Sequence, residues 1–220
     1  MVTMTQLQPE LILQAYAIGV FPMAEGRDDP RLFFVDPDRR GIIPLDGFHV
    51  SRSLRKTVLR RQFEVTCDRD FAATLAGCAE ATERRPDTWI NREIFRLFVA
   101  LHERGHAHSI EVRRDDRLVG GLYGLRLGGA FFGESMFSRE TDASKVALVH
   151  LVARLRAGGF TLLDSQFITS HLQRFGAHEI PREEYRERLQ RAIATPAQFV
   201  PGDGDWPAVL ALLQDSTQRS

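Results

Sequence analysis

The sequence has few cysteines, no long apolar run and no net charge. Its two cysteines, Cys67 and Cys78, are too few for a disulfide framework. No secretory signal pattern follows Met1, so we expect a cytoplasmic protein with reduced thiols. No uninterrupted apolar stretch approaches the roughly 20 residues that a membrane helix needs, and we expect no membrane partner. The formal net charge of +0 excludes a bulk attraction to nucleic acid, so such binding would depend on a local cluster of charge.

One basic segment supplies such a cluster. No acidic residue occurs between positions 49 and 62, and this segment contains Arg52, Arg55, Lys56, Arg60 and Arg61. Ser51 is a suitable N-cap for a helix that runs to Arg61. On that helix the cations at 52, 56 and 60 are four residues apart and share one face. The segment is therefore either a solvated helix face or a surface that binds phosphates.

Length and composition predict a globular chain with a smaller lobe. With 220 residues, of which 43% are hydrophobic and 26% charged, the chain can bury a full core. We divide it into an N-terminal subdomain with the basic helix (1–61), a catalytic domain (62–194) and a tail (195–220). The tail is rich in Pro and Gly, and we expect it to be a surface appendage to which no function is assigned.

The stretch from 118 to 166 organises the rest of the chain. Residues 118–127 and 130–137 have strand-like composition, and Gly128-Gly129 between them suits a tight hairpin turn. From Ser144 the apolar residues follow helical spacing until Gly158-Gly159, and residues 160–166 are again strand-like. The order strand, strand, helix, strand favours a right-handed return to the sheet. The fold class predicted is α/β (α+β), with an acyl-CoA N-acyltransferase-like core and a smaller N-terminal subdomain.

Three polar side chains interrupt these apolar strands. Asp164 and Gln166 are two residues apart, so a regular strand would point both to one face. Glu134 lies within FFGESMF, where burial of a carboxyl group without a partner would be costly. Taken singly, Glu134 could cap a turn or pair with an arginine, and Asp164 could mark the end of its strand. Taken together, the three predict one polar cleft.

The segment His102-Glu103-Arg104-Gly105-His106 matches H-E-x-x-H, the zinc peptidase motif. That chemistry requires both histidines on one face of a continuous helix. Gly105 stands where the helix should end, and residues 106–112 follow a strand pattern. We therefore predict no metal site here.

Several motifs match one family in order and spacing. They are AYAIGVFPM, AHSIEV, GGLYG, FFGESMFS, ASKVAL, LLDSQ, HL and FGAHEIPR, and they span about residues 7–193. The sequence resembles the leucyl/phenylalanyl-tRNA-protein transferases. The resemblance implies transfer of Leu or Phe, and also Met, from aminoacyl-tRNA to acceptor proteins that begin with Arg or Lys. Such transfer marks proteins for degradation by the N-degron pathway. We expect a monomer that uses no cofactor.

The resemblance also implies roles for individual residues. Asp164, Gln166 and Glu134 form the catalytic group, with Asp164 and Gln166 nearest the amine and Glu134 mainly electrostatic. The donor side chain enters an apolar pocket of Leu122, Phe131, Met136, Leu155 and Leu163. The 3′-terminal adenosine of the tRNA stacks on Phe33, Phe34 and Trp89, although the family is tryptophan-rich where this chain has Phe33-Phe34. The five cations of the basic segment bind the tRNA backbone.

Three other classes compete with this interpretation, of which the zinc peptidase suggested by H-E-x-x-H is the least favoured. A CoA-dependent N-acetyltransferase would have a similar core, but it would cradle pyrophosphate with a Q/R-x-x-G-x-G/A loop before the helix. Residues 138–145 read SRETDASK, with two acids and no glycine. Non-enzymatic RNA binding would account for the basic helix but gives no reason for the polar residues within the strands.

Overall fold

A computed structural model describes residues 7–83, 86–200, 202 and 205–218 of the protein. Within these ranges the helices are α1 Pro9–Ala17, α2 Arg52–Leu59, α3 Phe71–Ala79, α4 Arg92–Glu103, α5 Ala143–Ala157, α6 Ser170–Gln173, α7 Arg182–Ala194 and α8 Trp206–Gln218. The strands are β1 Phe21–Met23, β2 Phe33–Val35, β3 Arg39–Ile42, β4 Glu64–Cys67, β5 Ala107–Arg114, β6 Arg117–Leu127, β7 Ala130–Ser138, β8 Leu162–Gln166 and β9 His178–Pro181. No helix in the described ranges combines the length and the apolar character needed to cross a bilayer.

Seven of the strands form one mixed sheet in the order β4-β5-β6-β7-β8-β3-β9, while β1 and β2 pair separately. Only β7 and β8 run parallel within this sheet. Two apolar clusters cover its faces: one contains residues of α2, α5 and α8, and the other residues of α1, α3, α4 and α7. The predicted mixed α/β fold is confirmed. The closer likeness to acyl-CoA N-acyltransferases stays a prediction.

The central stretch folds as its pattern predicts. β6 and β7 form an antiparallel hairpin, α5 crosses one face, and β8 returns parallel to β7 with Phe131 opposite Leu163. Gly128 has a φ of 55°, and a Cβ there would meet the carbonyl oxygen of Ile193 at 2.1 Å, so this turn requires glycine. Alternation along β7 places Phe131 in the cluster on the α5 side and Phe132 in the other.

The strand β3 has no counterpart in the sequence prediction. It lies between β8 and β9, where Gly41 pairs with Gln166 and Ile42 with Asp164. The N-terminal part of the chain therefore contributes to the main sheet, and α2 packs through Leu54 and Val58 into the same cluster as α5. The division at residue 61 stays a prediction.

The expectation of a surface appendage after Thr195 is wrong. Phe199 is buried and stacks on His108 and Phe131, with ring centroids 4.1 and 5.6 Å apart. Val209, Leu212 and Leu213 of α8 are buried against the α5 side of the sheet. The tail packs there because its apolar residues, although separated by Pro and Gly, meet the exposed flank of that core.

Candidate active site

The candidate site begins where two strands stop pairing. β7 and β8 are in register up to Phe132 and Asp164, and beyond that point they line a cavity of about 310 Å³. Residues 133–136 form one wall and residues 163–166 another. Phe21 and Met23 of β1 and Leu148 and Leu151 of α5 complete much of the lining. The cavity is therefore apolar over most of its wall, with polar groups at the strand ends.

Asp164 lies at the inner end of this cavity and is fully buried. Arg40 donates to it through Nε, 2.9 Å from Oδ1 and 3.1 Å from Oδ2, and through Nη2, 2.6 Å from Oδ2. The hydroxyl of Tyr185 donates to Oδ2 at 2.7 Å. Burial acts to lower the pKa of Arg40, but the adjacent Asp164 carboxylate raises it above its ordinary value. Asp164 therefore sits in a compensated ion pair at the cavity, and the sequence did not predict its arginine partner.

Gln166 ends β8 in a left-handed conformation with a φ of 57°. Its backbone N–H donates to Asp164 Oδ1 at 2.7 Å. In the amide orientation that satisfies both side-chain atoms, Nε2 donates to the carbonyl oxygen of Gly133 at 2.9 Å, across the gap between the strands. Asp164 and Gln166 both line the cavity. They do so because the chain turns at Gln166, and not because they share one face of a regular strand as the sequence suggested.

Glu134 lies half-buried in the opposite wall and accepts a hydrogen bond from the hydroxyl of Tyr16, at 2.7 Å from Oε1. Desolvation raises the pKa of Glu134 to about 8, reinforced by the charge of Asp164 and opposed by the Tyr16 hydrogen bond and Arg40. Burial, followed by the nearness of Glu134, raises the pKa of Tyr16 well above its ordinary value. The carboxyl group of Glu134 therefore titrates in the physiological range.

Two further polar atoms at the cavity have no hydrogen-bond partner among the described residues. They are Ser165 Oγ and His171 Nε2, and both residues line the cavity. Desolvation, with Lys145 and Arg174 nearby, lowers the pKa of His171, so its imidazole is neutral at neutral pH. Unpartnered buried polar atoms are uncommon and are available to a ligand.

Three of the five residues predicted for the donor pocket line this cavity. Leu122, Met136 and Leu163 line the cavity. Phe131 and Leu155 do not; both are fully buried in the α5-side core behind the wall. Leu148 and Leu151, which do line it, were not predicted because helical spacing alone does not distinguish the residues of α5 that face a cavity from those that face the sheet.

The predicted aromatic platform lies near the cavity mouth. Phe33 and Phe34 are exposed on β2, and Phe33 lies opposite Met23, which lines the cavity. Trp89 is itself part of the lining. The strand β1 thus separates the exposed pair from the cavity by one strand width.

The basic helix carries its cations as predicted. The hydroxyl of Ser51 caps α2 by accepting from the Leu54 N–H at 3.3 Å, and Arg52, Lys56 and Arg60 are exposed. With Arg55 they line a concavity of about 540 Å³ to which α8 contributes Ser216. Arg61 differs, since its guanidinium stacks over the Trp206 ring at 4.8 Å.

The H-E-x-x-H segment does not form one helical face. α4 ends at Glu103, and Gly105 follows with a φ of 75°. His102 stacks on Phe71 and its Nδ1 lies 2.8 Å from the Ala107 carbonyl oxygen. The predicted break at Gly105 is confirmed.

The segment before α5 carries acids that are already paired. Glu140 pairs with Arg114 at 3.0 Å, and Asp142 with Lys145 at 2.6 Å. This start of the helix is a poor cradle for pyrophosphate, in agreement with the missing acetyltransferase loop.

An apolar cavity with an amide and a carboxyl group at one end, in a sheet flanked by a basic helix, suits an acyl-group transferase. The family model for leucyl/phenylalanyl-tRNA protein transferase matches residues 42–190, and the model for its N-terminal domain matches residues 5–38. The chain therefore belongs to the leucyl/phenylalanyl-tRNA protein transferase family, and it is an aminoacyltransferase.

Curated relatives of the same name support this assignment along nearly the whole chain. A protein of Cereibacter sphaeroides is 59% identical over 97% of this chain and 98% of the relative. One of Paramagnetospirillum magneticum is 61% identical over 89% and 94%, respectively, and one of Maricaulis maris is 62% identical over 86% and 88%. Each is named leucyl/phenylalanyl-tRNA–protein transferase.

Proposed function

We propose that this chain moves Leu, Phe or Met from aminoacyl-tRNA to the α-amine of acceptor proteins that begin with Arg or Lys. In this proposal the enzyme is a cytoplasmic monomer that works without a cofactor and marks its acceptors for degradation by the N-degron pathway. The observation that carries it is the apolar cavity between β7 and β8, whose polar groups Glu134, Gln166 and Ser165 converge at the strand ends.

The cavity receives the donor side chain. Most of its wall is apolar, with the polar groups gathered at the strand ends, and its size suits a single small ligand. Flexible or flat side chains such as Leu, Met and Phe enter it, whereas Ile and Val are turned away by their branch at Cβ. A methylene in such a pocket is worth about 1 to 3 kcal/mol, so shape alone gives moderate discrimination.

The rest of the aminoacyl-tRNA lies across two neighbouring surfaces. The terminal adenosine stacks on Phe33, Phe34 or Trp89 at the mouth, since aromatic faces bind bases without regard to sequence. The exposed cations of α2 contact backbone phosphates farther along the acceptor stem.

The reaction is aminolysis of an ester. The neutral α-amine attacks the carbonyl carbon, a C–N bond forms, and the C–O bond to the terminal ribose breaks. The amine gives up a proton and the ribose oxygen takes one up. An α-ammonium has a pKa of about 7.7 to 8.0, so positioning of the amine contributes more than its first deprotonation.

Asp164, Gln166 and Glu134 form the catalytic group in this proposal, in which Gln166 and Glu134 meet the substrates and Asp164 holds Gln166. With its Nε2 bound to Gly133, Gln166 presents Oε1 as an acceptor for the amine. Glu134 attracts the extra cation of an N-terminal Arg or Lys, and that cation in turn favours the ionised form of Glu134. Because Arg40 compensates Asp164, selectivity for the cation rests on Glu134 rather than on two carboxylates.

A transfer assay tests the proposal directly. Purified protein is incubated with labelled Phe-, Leu-, Met- or Val-tRNA and with peptides that begin with Arg, Lys or Ala. We expect transfer from the first three donors to the Arg and Lys peptides, weak transfer from Val-tRNA and weak acceptance by the Ala peptide. Equal use of Val-tRNA and Leu-tRNA would contradict the assigned pocket.

Two glutamine variants make the assay specific to the cavity. Gln166→Ala should lower turnover at saturating substrates, while Gln173→Ala, a change at an exposed position of α6, should not. Equal turnover of the two variants, at matched melting temperatures, would remove Gln166 from the site.

A further inference from the structure

Arg40 is buried beside the candidate site in a way that the transfer chemistry does not itself explain. Only 1% of the residue is exposed. Its guanidinium lies between the rings of Phe21 and Tyr185, at 4.4 and 4.6 Å from the ring centroids. Besides its bonds to Asp164, it donates through Nη1 to the carbonyl oxygen of Gly19 at 2.9 Å. One side chain thus joins the end of α1, β1, β8 and α7.

The carboxylate that Arg40 holds has no lone pair left for a substrate. Oδ1 of Asp164 accepts from Arg40 Nε and from the Gln166 backbone N–H. Oδ2 accepts from Arg40 Nη2 and from the Tyr185 hydroxyl. Each oxygen therefore has its two strong donors, and the residue has no exposed surface. Asp164 can influence the reaction only through a neighbour.

That neighbour is Gln166. A φ of 57° is unfavourable for a residue other than glycine and persists only where surrounding contacts hold it. The bond from its N–H to Asp164 is one such contact. The other comes from β3, where Gly41 lies opposite Gln166. The two backbones are so close that a Cβ on residue 41 would lie only 2.9 Å from the Phe167 carbonyl carbon. Arg40 and Gly41, adjacent in sequence, together fix the turn that aims the Gln166 side chain across the cavity.

We propose that Arg40 is a positioning residue for the transfer reaction: with Tyr185 it clamps the Asp164 carboxylate, and through Asp164 it fixes Gln166 at the cavity wall. The effect of Arg40 on transfer rests on the proposed function, whereas its effect on the conformation of Gln166 does not. A planar guanidinium holds a carboxylate at two points, which a lysine cannot do. Arg40 also offsets the charge of Asp164, so the clamp adds no net charge to the cavity.

The test compares Arg40→Met and Arg40→Lys with Arg39→Met, a matched control one residue away. Arg39 is largely exposed and pairs with Glu179 at 3.1 Å. For each variant the melting temperature, kcat, and KM for aminoacyl-tRNA and Arg-peptide are measured. We expect Arg40→Met to lose about 100-fold in kcat, the order that a 1 Å misplacement costs, with KM changed by less than about threefold. Arg40→Lys should fall between Arg40→Met and the unmodified protein, and Arg39→Met should be normal.

If Arg40→Met alone does not fold, Arg40→Met/Asp164→Asn removes both buried charges and supplies a folded background. In it kcat should stay low, because the side chain at 164 is no longer clamped. Near-normal kcat in either folded variant would overturn the proposal.

A second readout does not depend on catalysis. In protein with ¹⁵N-labelled glutamine, the Gln166 backbone resonance, assigned by its loss in Gln166→Ala, should shift in Arg40→Met and stay in place in Arg39→Met. An unchanged resonance in Arg40→Met would overturn the inference even if transfer is observed. Absence of transfer in the unmodified protein would instead refute the proposed function, and the resonance would still decide the role of Arg40.

Discussion

Glu134→Gln should make the protein more stable than the unmodified form at neutral and alkaline pH, and equally stable below the ordinary carboxyl pKa of 4.5. Burial raises the pKa of Glu134 from an ordinary 4.5 to about 8. The folded state therefore holds a proton that the unfolded state releases, and the stability that Glu134 contributes is lost as the pH rises between these two values. Gln at this position keeps an oxygen that accepts the Tyr16 hydrogen bond and does not titrate.

The size of the effect follows from the pKa difference. Each pH unit between 4.5 and 8 is worth about 1.4 kcal/mol, so the full window corresponds to about 5 kcal/mol for a group without access to water. Glu134 is only half-buried, and screening by solvent reduces this to about 2 kcal/mol. For a chain of this length, about 2 kcal/mol shifts the melting temperature by about 4 to 8 °C.

Thermal unfolding between about pH 4 and pH 9, which spans both pKa values, measures the effect. The quantity of interest is the melting temperature of Glu134→Gln minus that of the unmodified protein, because all other titrating groups are shared. Glu187→Gln, an exposed position of α7, is the control and should give a difference near zero throughout. A Glu134→Gln difference that does not change with pH would show that Glu134 ionises at its ordinary pKa. That result would refute the claim that burial in the cavity raises the pKa of Glu134.

Two further changes test parts of the protein away from the cavity, the basic helix and the buried tail. Replacing Arg52, Lys56 and Arg60 with Ala should reduce the salt dependence of tRNA binding by about one unit of logarithmic slope per lost phosphate contact, with little loss on a minimal aminoacyl-adenosine donor. An equal loss on both donors would argue for a structural role of α2. Phe199→Ala should destabilise the protein by about 3 to 5 kcal/mol in urea unfolding, because a buried stacked ring is removed, whereas Val200→Ala at an exposed position should cost little. Similar values for the two variants would mean that the tail does not belong to the core.

The parts of the fold that could be predicted from sequence are those set by local signals. The hairpin of β6 and β7, the helix α5 and the strand β8 are marked by periodicity and by paired glycines. The start of α7 at Arg182, directly after Pro181, follows from the same kind of signal. These elements carry the three polar residues predicted to share one cleft, and all three line the same cavity.

The remainder depends on contacts between distant residues. β3 contains Arg39-Arg40, which do not suggest an interior strand; Asp164, 124 residues later, supplies the partner that allows Arg40 to be buried there. The roles of Tyr16 and Tyr185 cannot be predicted from sequence either, since nothing local marks a hydroxyl that will bind a buried carboxyl group. The packing of the tail against the core could not be predicted, because Pro and Gly interrupt the spacing of its apolar residues.

The position of β3 has a consequence for the growing chain. Its two neighbours in the sheet, β8 and β9, begin at Leu162 and His178, so more than a hundred residues are added before either exists. At about 5 to 20 residues per second, synthesis leaves β3 unpaired for roughly 6 to 25 seconds, with the guanidinium of Arg40 in water. The wall of the cavity that contains Gln166 is thus closed late, after most of the chain has been synthesised. A fragment of the chain that ends before Leu162 should therefore contain no ordered β3.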